Sequence, residues 1–150
     1  MYFGETAINL DAKGRLAIPM RYREALQEQC GSRLVLTYSA FDNGALYLYP
    51  EQEWERVRDE VTGLSTFNPS HRSLQRKLVG SASAVEPDGN GRIQLPQTLR
   101  QVAGLEKRAV LLGMGNRFEI WNETILNQKR VEEERSLDEA ASEEMARLVL

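Results

Sequence analysis

The feature that most constrains this chain is a short pattern that occurs twice, 77 residues apart. Asp11-Ala12-Lys13-Gly14-Arg15 lies within NLDAKGRLAIPMRYR, and Asp88-Gly89-Asn90-Gly91-Arg92 lies within VEPDGNGRIQLPQTLR. The shift superposes Asp11 on Asp88, Gly14 on Gly91, Arg15 on Arg92, Pro19 on Pro96 and Arg23 on Arg100, five identities in thirteen positions. Self-similarity at a fixed period marks an internal repeat, so the fold must accommodate two copies of one unit. Each copy reads as strand, tight turn, strand, helix. Gly14 and Gly91 fall where a left-handed backbone angle closes a hairpin, and Asn90-Gly91 is a favoured dipeptide for it. Pro19 and Pro96 end the second strand and open a helix.

Alternation places a strand at Thr6–Leu10, with Leu16 and Ile18 alternating again after the turn. A helix is expected from Pro19 to about Cys30, ended by Gly31. Leu34–Tyr38 and Ala45–Tyr49 read as a hairpin around Phe41-Asp42-Asn43-Gly44, and Pro50 opens a helix to about Leu64. Trp54, Val57, Val61 and Leu64 keep helical spacing on it. Asn68-Pro69 reads as a cap and first turn, with the helix running to Val79. His71, Arg72, Arg76 and Lys77 form its polar side, either a solvated face or a supporting phosphate or subunit contact.

The second copy brings Ser83–Glu86, Ile93–Leu95, a short helix from Pro96 to Ala103, and a hairpin of Ala109–Gly113 with Arg117–Trp121. Asn122 can cap a helix at Glu123. Ser136, with Glu139 three residues on, reads as a capping box opening a last segment whose apolar residues are Leu137, Ala141, Met145, Leu148 and Val149.

These signals divide the chain into repeat 1 (5–52), a helical linker (53–80), repeat 2 (81–124) and an acidic helical tail (125–150). A unit of about 45 residues is too small to bury a good core alone, so the copies are expected to pack on each other. The helical stripes at Glu51–Leu64 and Ser136–Leu150 are expected to need cover from further subunits, with a frayed tail an equal alternative for the second.

No enzyme constellation emerges. His71 is the only histidine and Cys30 the only cysteine, too few for a His/Cys metal site. The single cysteine excludes an intrachain disulfide and suits a reducing cytoplasm. Asp88–Arg92 begins like a calcium loop, but Arg92 occupies a ligand position. Gly113-Met114-Gly115 lies in a hairpin turn, not between strand and helix, which argues against nucleotide binding. No cofactor, metal, small-molecule substrate or catalytic residue is expected. No apolar run approaches the ~20 residues of a membrane span, and the N-terminus does not read as a signal peptide.

The net charge of −3 argues at first against nucleic acid, but its distribution matters more. Residues 131–150 hold seven acids against Arg135 and Arg147, leaving +2 on the rest of the chain. Lys13, Arg15, Arg21 and Arg23 cluster around the first copy. Lys13 and Arg15 flank a hairpin tip, and a two-stranded ribbon fits the major groove of duplex DNA. Arginine can grip phosphate or read guanine through two parallel hydrogen bonds. The plainer reading is that Asp11 and Arg15 merely close a hairpin. Arg23 and Arg100 recur one turn into each helix, where packing against the loop is the preferred role.

The doubled Asp-x-x-Gly-Arg motif, with the Pro and Arg after each copy and the NPSHRSLQRKLVGSAS segment between them, resembles the SpoVT-AbrB domains, in the tandem form of the MraZ family of bacterial transcriptional regulators. The resemblance runs from about Phe3 to Trp121. It implies an α+β, mainly β fold in which two βαββ halves contribute hairpins to a shared swapped-hairpin, double-psi-related β-barrel with flanking helices. It also implies that the repeated loops contact double-stranded DNA. The candidate contact set is Lys13, Arg15, Arg21, Arg23, Arg92 and Arg100, with Asp11, Gly14, Asp88 and Gly91 shaping the loops. A homo-oligomeric ring at repeated promoter boxes of the chain's own division and cell wall gene cluster, usually repressing it, would follow, in the cytoplasm at the nucleoid. The competing expectation is a non-enzymatic interaction scaffold or antitoxin-like adaptor.

Overall fold

The computed structural model describes residues 1–140 and 142–150, with the side chains of 137–140 left aside. The chain runs β1 (Tyr2–Asn9), β2 (Arg15–Ala17), α1 (Met20–Cys30), β3 (Leu34–Tyr38), β4 (Ala45–Pro50), α2 (Glu51–Thr62) and α3 (Pro69–Leu78). It continues through β5 (Ser83–Val85), β6 (Arg92–Gln94), α4 (Gln97–Val102), β7 (Arg108–Gly115), β8 (Phe118–Asn122), α5 (Glu123–Ala140) and α6 (Glu143–Ala146). The class is α+β, mainly β.

Six strands form one antiparallel sheet in the order β1-β7-β8-β4-β3-β5, and β2 pairs with β6 in a separate two-stranded ribbon. The order is symmetric about the β8–β4 seam. Each repeat's first strand pairs with the other repeat's hairpin: β1 with β7, and β5 with β3. Only the hairpins β3–β4 and β7–β8 pair within one repeat. The exchange implied by the resemblance is therefore present as cross-repeat pairing. Among the described residues the strands make an open sheet and a ribbon, not a closed barrel.

The main core lies between one face of this sheet and the layer made by the ribbon, α1 and α4. Leu16, Ile93 and Leu95 from the ribbon region meet Leu36, Leu46, Leu48, Leu111 and Ile120 from the sheet, all of them fully or almost fully buried. On the opposite face α2 and α3 cover Val35, Tyr47 and Tyr49, while α5 covers Ala45, Val110 and Trp121 through Leu126. Central strands buried on both faces explain the unbroken apolar runs of β3 and β4.

Two helical expectations are corrected. The stripe of α2 does not await another subunit, because Trp54 and Val61 are buried in this chain's own second core beside Leu78 of α3. Ser136 opens no helix. It lies within α5, where its hydroxyl donates back to the Glu132 carbonyl at 3.1 Å. The surrounding Glu-rich stretch favours helix throughout, so nothing stops α5 there. The cap falls instead at Ser142, whose Oγ accepts from the Met145 amide at 3.2 Å. Met145, Leu148 and Val149 are exposed; Ala141 and the Leu137 side chain lie outside the described residues. The sequence reading also starts β1 too late. Pairing with β7 extends it back to Tyr2, whose ring is buried against Phe118.

Candidate nucleic-acid interface

The two repeated loops close with the same hydrogen bonds. In the first, the Asp11 amide donates to the Arg15 carbonyl at 2.9 Å and the Gly14 amide to the Asp11 carbonyl at 3.0 Å. In the second, the Asp88 amide donates to the Arg92 carbonyl and the Gly91 amide to the Asp88 carbonyl, both at 2.9 Å. Gly14 and Gly91 take φ of 76° and 73°, a left-handed geometry that side chains disfavour.

Each aspartate ties its loop together. Asp11 Oδ1 accepts from the Lys13 and Arg15 amides, both at 2.9 Å, and Oδ2 from Arg15 Nε at 2.7 Å. Asp88 repeats this with the amides of Asn90 and Arg92 and with Arg92 Nε at 3.0 Å. The backbone N–H of the following arginine is the main reason both carboxyls are held below the usual range, with the arginine guanidinium assisting. The plain role considered for Asp11 is thus filled, yet it leaves the arginines available. Only Nε of each is engaged; among the described residues no side chain or carbonyl takes the Nη groups of Arg15 or Arg92. The carboxylate orients the fork and leaves its outer donors unengaged, on side chains that are 25% exposed for Arg15 and 33% for Arg92.

The ribbon sets where those forks point. Leu16 pairs with Ile93, both fully buried, while Arg15 pairs with Gln94 and Ala17 with Arg92. Strand alternation then puts Arg15, Ala17, Arg92 and Gln94 on one outward face. The two arginines lie diagonally across a two-stranded ribbon, with a loop at each end. Lys13 is exposed at the first tip, where the second has Asn90.

Arg23 and Arg100 pack across the repeats. Arg23 Nε donates to the Ile18 carbonyl at 2.7 Å, and its guanidinium occupies the space a Cβ on Gly91 would need. Arg100 Nε donates to the Leu95 carbonyl at 3.0 Å, and its guanidinium covers Gly14 in the same way. Backbone bonds run beside these contacts, from the Ile18 amide to the Gly91 carbonyl and from the Leu95 amide to the Gly14 carbonyl. Each helix therefore clamps the loop of the other copy. Arg21 lies apart from both loops, bonded to Thr6 Oγ1 of β1 with its guanidinium 4.8 Å from the Tyr22 ring centroid.

One contributor escaped the sequence reading. The Gln94 side chain donates to the Lys13 carbonyl at 2.7 Å, from the opposite strand. Its only trace in the sequence is an asymmetry, since the repeat places Ala17 at the matching position. Among the described residues no group of three or more His, Cys, Asp or Glu is arranged to hold a metal ion, and no helix is long and apolar enough to cross a membrane.

A pseudo-twofold pair of interlocked repeats, each presenting an Asp-braced arginine loop, defines a tandem SpoVT-AbrB-like architecture. A family model described as "MraZ protein, putative antitoxin-like" matches residues 1–77 and 78–148. The chain is similar to proteins named transcriptional regulator MraZ. It is 52% identical to that of Xanthomonas oryzae pv. oryzae over 123 residues, 82% of this chain and 83% of the relative. Identity is 54% with that of Stenotrophomonas maltophilia over the same coverage, and 48% with that of Marinobacter nauticus over 84% of each chain. The chain belongs to the MraZ family.

Proposed function

We propose that this chain is a sequence-specific DNA-binding transcriptional regulator that acts by stoichiometric binding and not by catalysis. The observation that carries this reading is the single outward face shared by Arg15 and Arg92, whose Nη donors no other described residue takes. Forked donors on a two-stranded ribbon suit phosphate oxygens and guanine edges in the major groove. The names of its relatives support the same role. The finer reading is that the loops of several copies, assembled as a ring, engage repeated boxes in the promoter of the chain's own division and cell wall cluster and repress it. A single ribbon offers few contacts, and repetition would raise affinity without new chemistry. Lys13 extends the contact at the first tip, Arg23 and Arg100 border the loops, and Arg21, apart from them on the β1 side, would reach only DNA that continues past the ribbon. The site of action would be the cytoplasm, at the nucleoid.

A scaffold or antitoxin-like adaptor is the second reading. Phe3 and Met114 support it, because they pair on the β1–β7 edge and are both exposed. A titration of the chain's own promoter duplex at increasing salt separates the two. Regulator binding should weaken steeply, by a slope of roughly −0.9 per neutralised phosphate on logarithmic axes. A flat response, or no retardation of the duplex, would favour the scaffold.

A further inference from the structure

The two loops are closed alike but braced unequally. Gln94, opposite Arg15 in the ribbon, donates its amide to the Lys13 carbonyl at 2.7 Å, with the Gly14 carbonyl 3.4 Å away. The matching position in the first copy is Ala17, opposite Arg92, which has no side-chain donor. Among the described residues no side chain bonds the Asn90 carbonyl. The first tip is therefore held from three sides: by Asp11 within the loop, by Arg100 over Gly14, and by Gln94 on the Lys13 carbonyl. The second tip has the first two kinds of support, from Asp88 and Arg23, and lacks the third.

We propose that Gln94 and Arg100, both of the second repeat, are positioning residues for the first loop, and that the brace from Gln94, which the second loop does not share, makes Lys13-Gly14-Arg15 the principal DNA reader of the chain. The inference rests on the DNA-binding reading above. Its physical basis is preorganisation: a tip already fixed loses less freedom when DNA orders it. Gln94 is an unsuitable base reader in its own right. Recognition of adenine needs both the amide donor and the carbonyl of a glutamine, and here the amide nitrogen is already engaged by the Lys13 carbonyl at 2.7 Å and the Leu95 carbonyl at 3.3 Å. Arg100 is likewise suited to support, since its guanidinium covers Gly14 with Nε donating to the Leu95 carbonyl.

The test uses the full-length protein labelled with nitrogen-15 and a duplex that the wild type selects from a random-sequence pool. Four variants are compared with Arg15→Ala: Gln94→Met, Arg100→Lys, Ala17→Gln and the Gln94→Met/Ala17→Gln pair. Gln94→Met keeps the length and removes the donor, so affinity should fall roughly three- to tenfold, the worth of one hydrogen bond. The salt slope should stay unchanged because no phosphate contact is lost. Amide signals of Ala12 to Arg15 should shift and broaden, while those of Gly89 to Arg92 stay put. Arg100→Lys should act in the same direction, because lysine keeps the charge without the planar fork. Ala17→Gln should sharpen the Asn90 and Gly91 amides, and the paired variant should move loop order from the first tip to the second.

Unmoved first-loop amides in Gln94→Met and Arg100→Lys would overturn the positioning role. Lost affinity with unmoved amides would do so too, because Gln94 would then touch DNA itself. Binding that persists in Arg15→Ala would reject the first loop as principal reader. A wild type that selects no duplex would instead reject the DNA reading, and the amide signals would still decide whether Gln94 braces the loop.

Discussion

The two copies of the repeat agree where they face each other and, apart from the matched Arg15 and Arg92, diverge where they face outward. Leu16 and Ile93 meet at the centre of the ribbon, and the loop closures, positive-φ glycines and covering arginines match one for one. Away from this shared zone the copies drift. Strand β1 spans eight residues and its counterpart β5 three; helix α1 has eleven and α4 six. The outward positions differ most in kind, with Lys13 against Asn90 and Ala17 against Gln94. Burial against a symmetry mate restricts both copies together, because a change on one side must fit the other. A solvent-facing position has no such constraint and can specialise.

The largest effects should come from the shared zone. Leu16→Ala and Ile93→Ala each remove a fully buried side chain at the ribbon centre. Each should cost about 2–5 kcal/mol of stability, measured by denaturant unfolding. The two losses should be similar in size and should not add in the double variant, since the side chains are paired. Clearly unequal losses would show that the two side chains are not equivalent in the shared core.

Next come the loop arginines. Arg15→Ala should remove nearly all specific DNA binding, while Arg92→Ala weakens it less, with circular dichroism and molecular size unchanged in both. Losing a base-reading arginine costs about 1–3 kcal/mol per site, and repetition across copies would multiply it. Equal losses would mean that both ends of the ribbon engage DNA alike. A greater loss for Arg92→Ala would reverse the assignment of the principal loop.

The contrast also explains how much could be read in advance. The loops, their glycines and the helix starts were legible because turn chemistry is local: Asp11, Gly14 and Pro19 act through neighbours in sequence. The candidate site was legible to the same extent, as a motif. Its assembly was not. The crossing of Arg23 onto Gly91 and of Arg100 onto Gly14 depends on which copy pairs with which, and no period in the sequence states that. The burial of Trp54 and Val61 was missed for the same reason, because an amphipathic stripe shows that cover is needed but not whether α3 or another chain supplies it. Ser136 misled in the opposite direction, since a capping pattern is only a local option and the helix already under way overrode it.

Acid should open both loops in parallel. Asp11 and Asp88 each titrate below the ordinary 3.8, chiefly because the amide of Arg15 or Arg92 donates to the charged carboxylate. A group whose folded value is lowered contributes stability that is fully present above its ordinary value. That contribution is lost as pH falls through the lowered one. Loop order should therefore hold across the neutral and mildly acidic range and fail only below 3.8. The amide signals of Lys13 and Asn90, followed through an acid titration, should move together. A first loop that survives to lower pH than the second would sharpen the contrast, because the Gln94 brace does not titrate. Movement well above the ordinary carboxyl value would show that the aspartates are not the clamps.

The smallest effect on the fold should come from deleting residues 131–150. Residues 131–136 and 142–150 are exposed, and α5 is anchored earlier, by Leu126 in the third core. Arg130, which pairs with Glu5 of β1 at 2.8 Å, also precedes the cut. Because the described side chains of this segment are exposed, its removal should change stability by no more than about 0.5 kcal/mol. The electrostatic consequence differs in kind. The deletion removes seven acids and two arginines, taking the net charge from −3 to +2, and so lifts a repulsion that DNA of any sequence would feel. Binding to a scrambled duplex should strengthen more than binding to the selected one, and most at low salt, where screening is weakest. The two loops should keep their rank, because the tail alters the field over the whole molecule and neither brace. A deletion that instead reversed the ranking of Arg15→Ala and Arg92→Ala would place the acidic segment beside one loop in particular.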